Sequence, residues 1–128
     1  MSKKILLVDD DVDFVEMNKS FLENKGYQVV YAYNGKDALK ILDQEKPDLL
    51  VLDVMMTEVG EGFEVAREVR KREAFRNTPI IMLSAVNELH GFNLTIGPDE
   101  RWNPVNEFID KPIEHQQLLA KIESLLNQ

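Results

Sequence analysis

The chain has 128 residues, 44% hydrophobic and 30% charged, an ordinary globular balance that suits one compact domain over residues 1–128. A formal net charge of −8 argues against gripping DNA or RNA through their phosphates, and the lack of cysteine excludes a disulfide framework and thiolate chemistry. No run approaches the roughly 18 apolar residues of a membrane span, and the stretch after Met1-Ser2-Lys3-Lys4 is too short for a secretion signal, so a cytoplasmic location follows by elimination.

The first apolar run, Ile5-Leu6-Leu7-Val8, leads into Asp9-Asp10-Asp11 and then a helical pattern marked by Phe14, Met17, Phe21 and Leu22. Phe14, Met17 and Phe21 read as core, and Lys25-Gly26 is a good helix stop. Val29-Val30-Tyr31-Ala32 is the second run, and the turn Asn34-Gly35 opens a helix carrying Ala38, Leu39, Ile41 and Leu42. The third run, Leu49-Leu50-Val51-Leu52, ends at Asp53. Phe63, Ala66 and Val69 mark the helix that follows, whose charge run from Glu68 to Glu73 reads as a solvated face. Ile80-Ile81-Met82-Leu83 is the fourth run, ending at Ser84.

Between Val86 and Asn106 the pattern breaks. Gly91, Gly97, Pro98 and Pro104 interrupt apolar residues of no steady period, which predicts a short or irregular fourth helix and a mobile loop. Trp102 reads here as a lid over apolar surface, with a partner contact as the alternative. A weaker fifth run, Glu107-Phe108-Ile109, precedes Asp110, Lys111 and Pro112. The last helix carries Leu118, Leu119, Ile122, Leu125 and Leu126, with Pro112 at its opening. His90 and His115 have no ligand spacing and read as solvated surface.

Continuous rather than alternating apolar runs are expected of strands covered on both faces of a parallel sheet. Strands alternating with helices then imply an α/β fold of five strands and about five helices, doubly wound in three layers. Ligands of such sheets bind beyond the carboxyl ends of the strands. Asp9, Asp10, Asp53, Ser84 and Lys111 stand at those ends and should converge on one pocket.

Several carboxylates in one pocket repel, and a hard divalent cation with oxygen ligands relieves this, which favours Mg²⁺ or Mn²⁺. A metal and a lysine flanking one carboxylate can neutralise an incoming phosphoryl group while that carboxylate attacks phosphorus. Each residue also has an ordinary reading: Asp9 to Asp11 as helix caps, Asp53 as a turn residue, Ser84 as a cap and Lys111 as surface. Their coincidence at successive strand ends is what favours the chemical reading.

In this order, Asp9-Asp10, Asp53 in Leu-Leu-Val-Leu-Asp-Val-Met-Met, Ser84-Ala85 and Lys111-Pro112 resemble the receiver domain of bacterial two-component response regulators (CheY-like) from Lys4 to Leu126. The resemblance implies a flavodoxin-like sheet of order 2-1-3-4-5 and a cis peptide at Lys111-Pro112. It implies Asp53 as phosphoacceptor and Mg²⁺ held by Asp10, Asp53 and the backbone carbonyl of Met55, with Asp9 acting through water. Ser84 and Lys111 would contact the phosphoryl group, and a switch would couple Ser84 to Phe108. The donor would be a phosphohistidine on a kinase or phosphotransfer protein.

The chain departs from the family pattern at Thr57 and Glu61, where many members carry proline and glycine, and in its long interval from Ser84 to Lys111. Met55 and Val86, two places after Asp53 and Ser84, cannot orient a hydrolytic water by strong hydrogen bonds, which predicts slow loss of phosphate. No effector segment follows the last helix, so action alone and excision from a longer chain are both open.

Three rival readings compete with this one. An aspartyl-nucleophile phosphatase would use the Asp-x-Asp of residues 9–11, but there is no room for a substrate-selecting cap. A flavodoxin-like electron carrier would need a hydroxyl-rich loop where three aspartates stand. A pseudo-receiver that only binds a partner would have no use for Asp10, Asp53 and Lys111.

Overall fold

All five apolar runs form strands: β1 (Lys4–Val8), β2 (Gln28–Ala32), β3 (Leu49–Asp53), β4 (Ile80–Ala85) and β5 (Glu107–Lys111). Between and after them lie α1 (Val12–Asn24), α2 (Gly35–Glu45), α3 (Glu61–Lys71), a 3-10 turn (Glu73–Phe75) and α4 (His115–Leu126). This computed structural model describes residues 3–53, 61–85, 107–111 and 114–127. At Glu61, Ser84, Ala85, Glu107, Phe108, Asp110 and Lys111 it describes the backbone alone. The irregular region 86–106 with His90 and Trp102, the loop 54–60 with Met55 and Thr57, and Pro112 lie outside the described residues.

The strands pair in parallel in the order β2-β1-β3-β4-β5, as the resemblance implied. Side chains alternate across a strand, so each central strand feeds two cores. Leu6, Val8, Leu50 and Leu52 point to the side covered by α2 and α3, where they meet Ala38, Leu42, Phe63 and Val69. Ile5, Leu7, Leu49 and Val51 point to the other side, against Leu22 of α1 and Leu118 and Ile122 of α4. Three layers result, and β1 from Ile5 to Val8 and β3 from Leu49 to Leu52 are unbroken apolar runs because both of their faces are covered.

The second run departs from this. β2 is an edge strand, and it is less completely buried than β1 and β3, with Gln28 exposed and Tyr31 41% exposed. Both faces are still covered, Val29 packing in the core with Leu22 of α1 and Ala32 in the core with Ala38 and Leu42 of α2, so the edge position shows only at Gln28 and Tyr31.

Helix ends follow local chemistry. Asn34 caps α2, its side-chain oxygen accepting the Asp37 amide at 2.8 Å. Lys46 closes α2 in the left-handed region (φ 50), and Gly26 after α1 takes φ 97, a conformation that suits glycine. The last helix starts later than Pro112 suggested. Glu114 is its N-cap, in a reciprocal capping box with Gln117.

Three further expectations are corrected. Met17 is not core but 57% exposed, because α1 turns Val15, Asn18 and Leu22 to the sheet and Met17 lies on the opposite side of the helix. The charge run of α3 is more than a solvated face: the Arg70 guanidinium donates to the carbonyls of Phe75 (2.9 Å) and Thr78 (2.6 Å). Arg72 grips both carboxylate oxygens of Asp43 on α2 (2.9 and 3.3 Å). His115 is half-buried against α1 rather than solvated.

Candidate functional site

The three consecutive aspartates after β1 are sorted by local geometry into different jobs. The Asp9 amide donates to the Ala32 carbonyl (3.2 Å), continuing the β1–β2 pairing one residue past the strand. Its Oδ1 accepts the Asp11 amide at 3.0 Å, a turn that aspartate side chains favour. Asp11 then caps α1, its Oδ1 accepting the Phe14 amide at 3.2 Å. The capping reading therefore holds for Asp11, and Asp9 and Asp10 are left facing the sheet end.

Asp53 closes β3. Val8 pairs with Leu52, so Asp9 and Asp53 follow the same row of the sheet on adjacent strands. Carboxylate oxygens of Asp9, Asp10 and Asp53 all lie within 4.8 Å of one another. Asp9 and Asp53 are almost fully buried, at 1% and 3% exposure, while Asp10 is open to solvent. Aspartate is seldom buried this deeply without compensation, so the cluster is a site rather than a solvated surface.

Three hard oxygen donors, one facing solvent, fit an oxygen-loving divalent cation such as Mg²⁺. The donor set offers no nitrogen or sulfur among the described residues, which argues against zinc.

The other predicted residues are placed by backbone register. Asp53 pairs with Leu83 and Leu83 with Ile109, so Ser84 follows one residue beyond that row. Ser84 pairs with Asp110 and Ala85 with Lys111, which brings the backbones of Ser84 and Lys111 to the same end of the sheet as the acidic cluster. Phe108 pairs with Met82 within β5. Met55 and Pro112 lie outside the described residues, as do the side chains of Ser84, Phe108 and Lys111.

One pair escaped sequence reasoning. Asn18, 3% exposed, lies in the buried stripe of α1 and bonds His115 at the start of α4 (3.1 Å). The available signal was an asparagine at i+3 from Val15 and i−4 from Leu22, inside an otherwise apolar stripe.

A family model, the response regulator receiver domain, matches residues 5–123. The chain is 35% identical over 130 residues to the alkaline phosphatase synthesis transcriptional regulatory protein PhoP of Bacillus subtilis. That match takes in all of this chain and 50% of PhoP, so the chain spans about half the length of this relative. Among solved structures, the chemotaxis response regulator CheY4 of Vibrio cholerae is similar at 27% identity and a TM-score of 0.81, covering 98% of this chain and 99% of that one. The response regulator TrrA of Thermotoga maritima, solved in complex with Mg²⁺–BeF, is similar at 31% identity and a TM-score of 0.78, covering 96% and 98%.

Proposed function

Because the chain belongs to the response regulator receiver domain family of two-component signalling, we propose that residues 1–128 form one receiver domain with Asp53 as its phosphoacceptor. The observation that carries this reading is the buried Asp53 carboxylate, clustered with Asp9 and Asp10 beyond the ends of β1 and β3. Exposed carboxylates at strand ends are common; a nearly dry one beside two others is not.

Asp10, Asp53 and the backbone carbonyl of Met55 would hold Mg²⁺, or Mn²⁺ in its place, with Asp9 reaching it through water. When bound, the metal supplies positive charge against the incoming phosphoryl oxygens. An Asp53 carboxylate oxygen attacks phosphorus in line. The new P–O bond forms as the P–N bond of a donor phosphohistidine breaks, and the imidazole leaves with the electron pair and takes up a proton. Lys111 contributes a second cation to the phosphoryl group, and Ser84 donates a hydrogen bond to it. Ser84 and Phe108, on adjacent strands, then form the switch that reports the modification on the surface around β4 and β5.

The donor is a histidine kinase or a histidine phosphotransfer protein, which places the chain in the cytoplasm where kinases draw on ATP. The chain modifies itself rather than turning over a diffusible substrate. The TrrA relative, held with Mg²⁺–BeF, supports the metal assignment.

Intact mass after incubation with acetyl phosphate tests this, with and without Mg²⁺ and alongside Asp53→Asn. One phosphoryl adduct, dependent on Mg²⁺ and absent from the variant, is the expected result. An adduct that persists in Asp53→Asn moves the acceptor elsewhere, and none on the native chain removes the acceptor role.

A further inference from the structure

Lys111 ends β5, and the elements before and after it are both anchored. On one side β5 is registered to β4 through the pair Ala85 and Lys111. On the other, α4 begins at the capping box of Glu114 and Gln117, and its first residue, His115, is clasped to α1.

The clasp has a defined polarity. Asn18 Nδ2 donates to the Phe14 carbonyl at 2.8 Å, and a carbonyl can only accept, so the amide cannot be turned around. Asn18 Oδ1 therefore faces His115 Nδ1 at 3.1 Å, and that ring nitrogen must carry the hydrogen. The imidazole also stacks on Phe21, with ring centres 5.0 Å apart and an interplanar angle of 23°. Lys25 Nζ lies 5.5 Å from the centre of the Phe21 ring. At 3% exposure Asn18 is closed to solvent, so its amide depends on these protein partners.

Phe14 sits in the first turn of α1, four residues after Asp10, and His115 follows Lys111 by four residues. The hydrogen-bonded chain from Phe14 through Asn18 to His115 thus joins the two segments that carry the site's acids and its lysine. We infer that Asn18 and His115 are positioning residues, whose hydrogen bond holds the start of α4, and with it Lys111, in register with the acidic cluster for phosphoryl transfer. This rests on the reading of Asp53 as phosphoacceptor. Asp53 is held within β3, and Asp9 by its amide bond to the Ala32 carbonyl and its carboxylate bond to the Asp11 amide. None of these involves the Asn18–His115 bond, so the strut governs the transfer rate and not the affinity for metal.

Two substitutions separate a hydrogen-bond role from packing. His115→Phe keeps a ring against Phe21 but loses the donor, and His115→Gln keeps a donor but loses the ring. Phosphorylation of the full chain by acetyl phosphate at saturating Mg²⁺ is followed by intact mass, and Mg²⁺ affinity by calorimetry. Loss of one neutral hydrogen bond should slow His115→Phe about fivefold. Its Mg²⁺ affinity stays at the native value, and His115→Gln keeps the native rate.

A native rate in His115→Phe overturns the inference. So does the reverse order, with His115→Gln slow and His115→Phe native, which is what packing alone predicts. A fall in Mg²⁺ affinity that matches the fall in rate also overturns it. In each of these cases the native chain still forms its Asp53 adduct, so the phosphoacceptor reading stands; a native chain that forms no adduct removes both.

Discussion

Replacing Asp9 by asparagine removes one charge from the cluster and keeps the side-chain oxygen that accepts the Asp11 amide. Without divalent metal, the native carboxylate faces those of Asp10 and Asp53. At the 4.8 Å limit of the cluster, two unit charges repel by about 3.5 kcal/mol for an effective dielectric near 20. Asp10 is exposed and its share is screened by water and salt, so the buried Asp9–Asp53 pair dominates. Lys111 lies by register at the same sheet end and offsets part of the repulsion. A net gain of about 1–2 kcal/mol in EDTA is therefore expected for Asp9→Asn, or roughly 4–8 °C in Tm for a domain of this size.

Mg²⁺ should narrow or reverse that order. At about a hundredfold excess over Kd, metal binding adds about 2.7 kcal/mol to the native chain. The variant, with one fewer charge to offer, gains less at the same concentration. Urea unfolding followed by circular dichroism, in EDTA and in Mg²⁺, reads both effects. A variant less stable than native in EDTA would refute the electrostatic reasoning. Equal stabilisation of the two proteins by Mg²⁺ would show that Asp9 has no part in holding the ion.

Arg72→Ala cuts the bidentate tie between the residue after α3 and Asp43 of α2, and should lower stability by about 1 kcal/mol, since Asp43 is more than half exposed. Repeating the melt in high salt checks the cause, because the difference from native should then shrink. Burial, and then the charge of Glu123, hold the Tyr27 phenol above its ordinary value of 10.0. The folded state resists its ionisation, so stability is unaffected below about pH 10 and falls as pH rises through the folded pKa. Tyr27→Phe should flatten that fall in urea titrations at high pH. From sequence alone, Met55→Asn with Val86→Glu should speed loss of the phosphoryl group by supplying side chains that can orient water. Decay of the adduct by intact mass checks this, and an unchanged half-life counts against it.

Much of the fold was legible because central strands of a doubly wound sheet leave a simple trace. Ile5 to Val8 and Leu49 to Leu52 are buried on both faces, and no arrangement of the same residues as an amphipathic helix would produce such short unbroken runs. The acids of the site were equally legible, since each stands directly after a strand and strand ends in this fold share one rim. The Val29 to Ala32 run looked the same as the others, yet β2 is an edge, and edge position depends on strand order, which run length does not encode. Met17 misled for a related reason: its spacing from Phe14 and Phe21 is helical, but which side of α1 meets the sheet depends on where the helix packs.

By itself, then, the sequence determined strand identity, the entry to α2 at Asn34-Gly35, the stop of α1 at Lys25-Gly26, and the gathering of Asp9, Asp10 and Asp53 at one sheet end. These depend on neighbours along the chain or on the period of a strand. Only the tertiary structure decided that Asp9 and Asp53 are buried in the cluster while Asp10 is open to solvent. It also decided that Arg72 reaches Asp43, and that His115 belongs to Asn18, 97 positions away. A polar side chain can make the same hydrogen bond with many donors and acceptors, so its sequence states what it can offer. Packing of distant segments alone selects which offer is taken up.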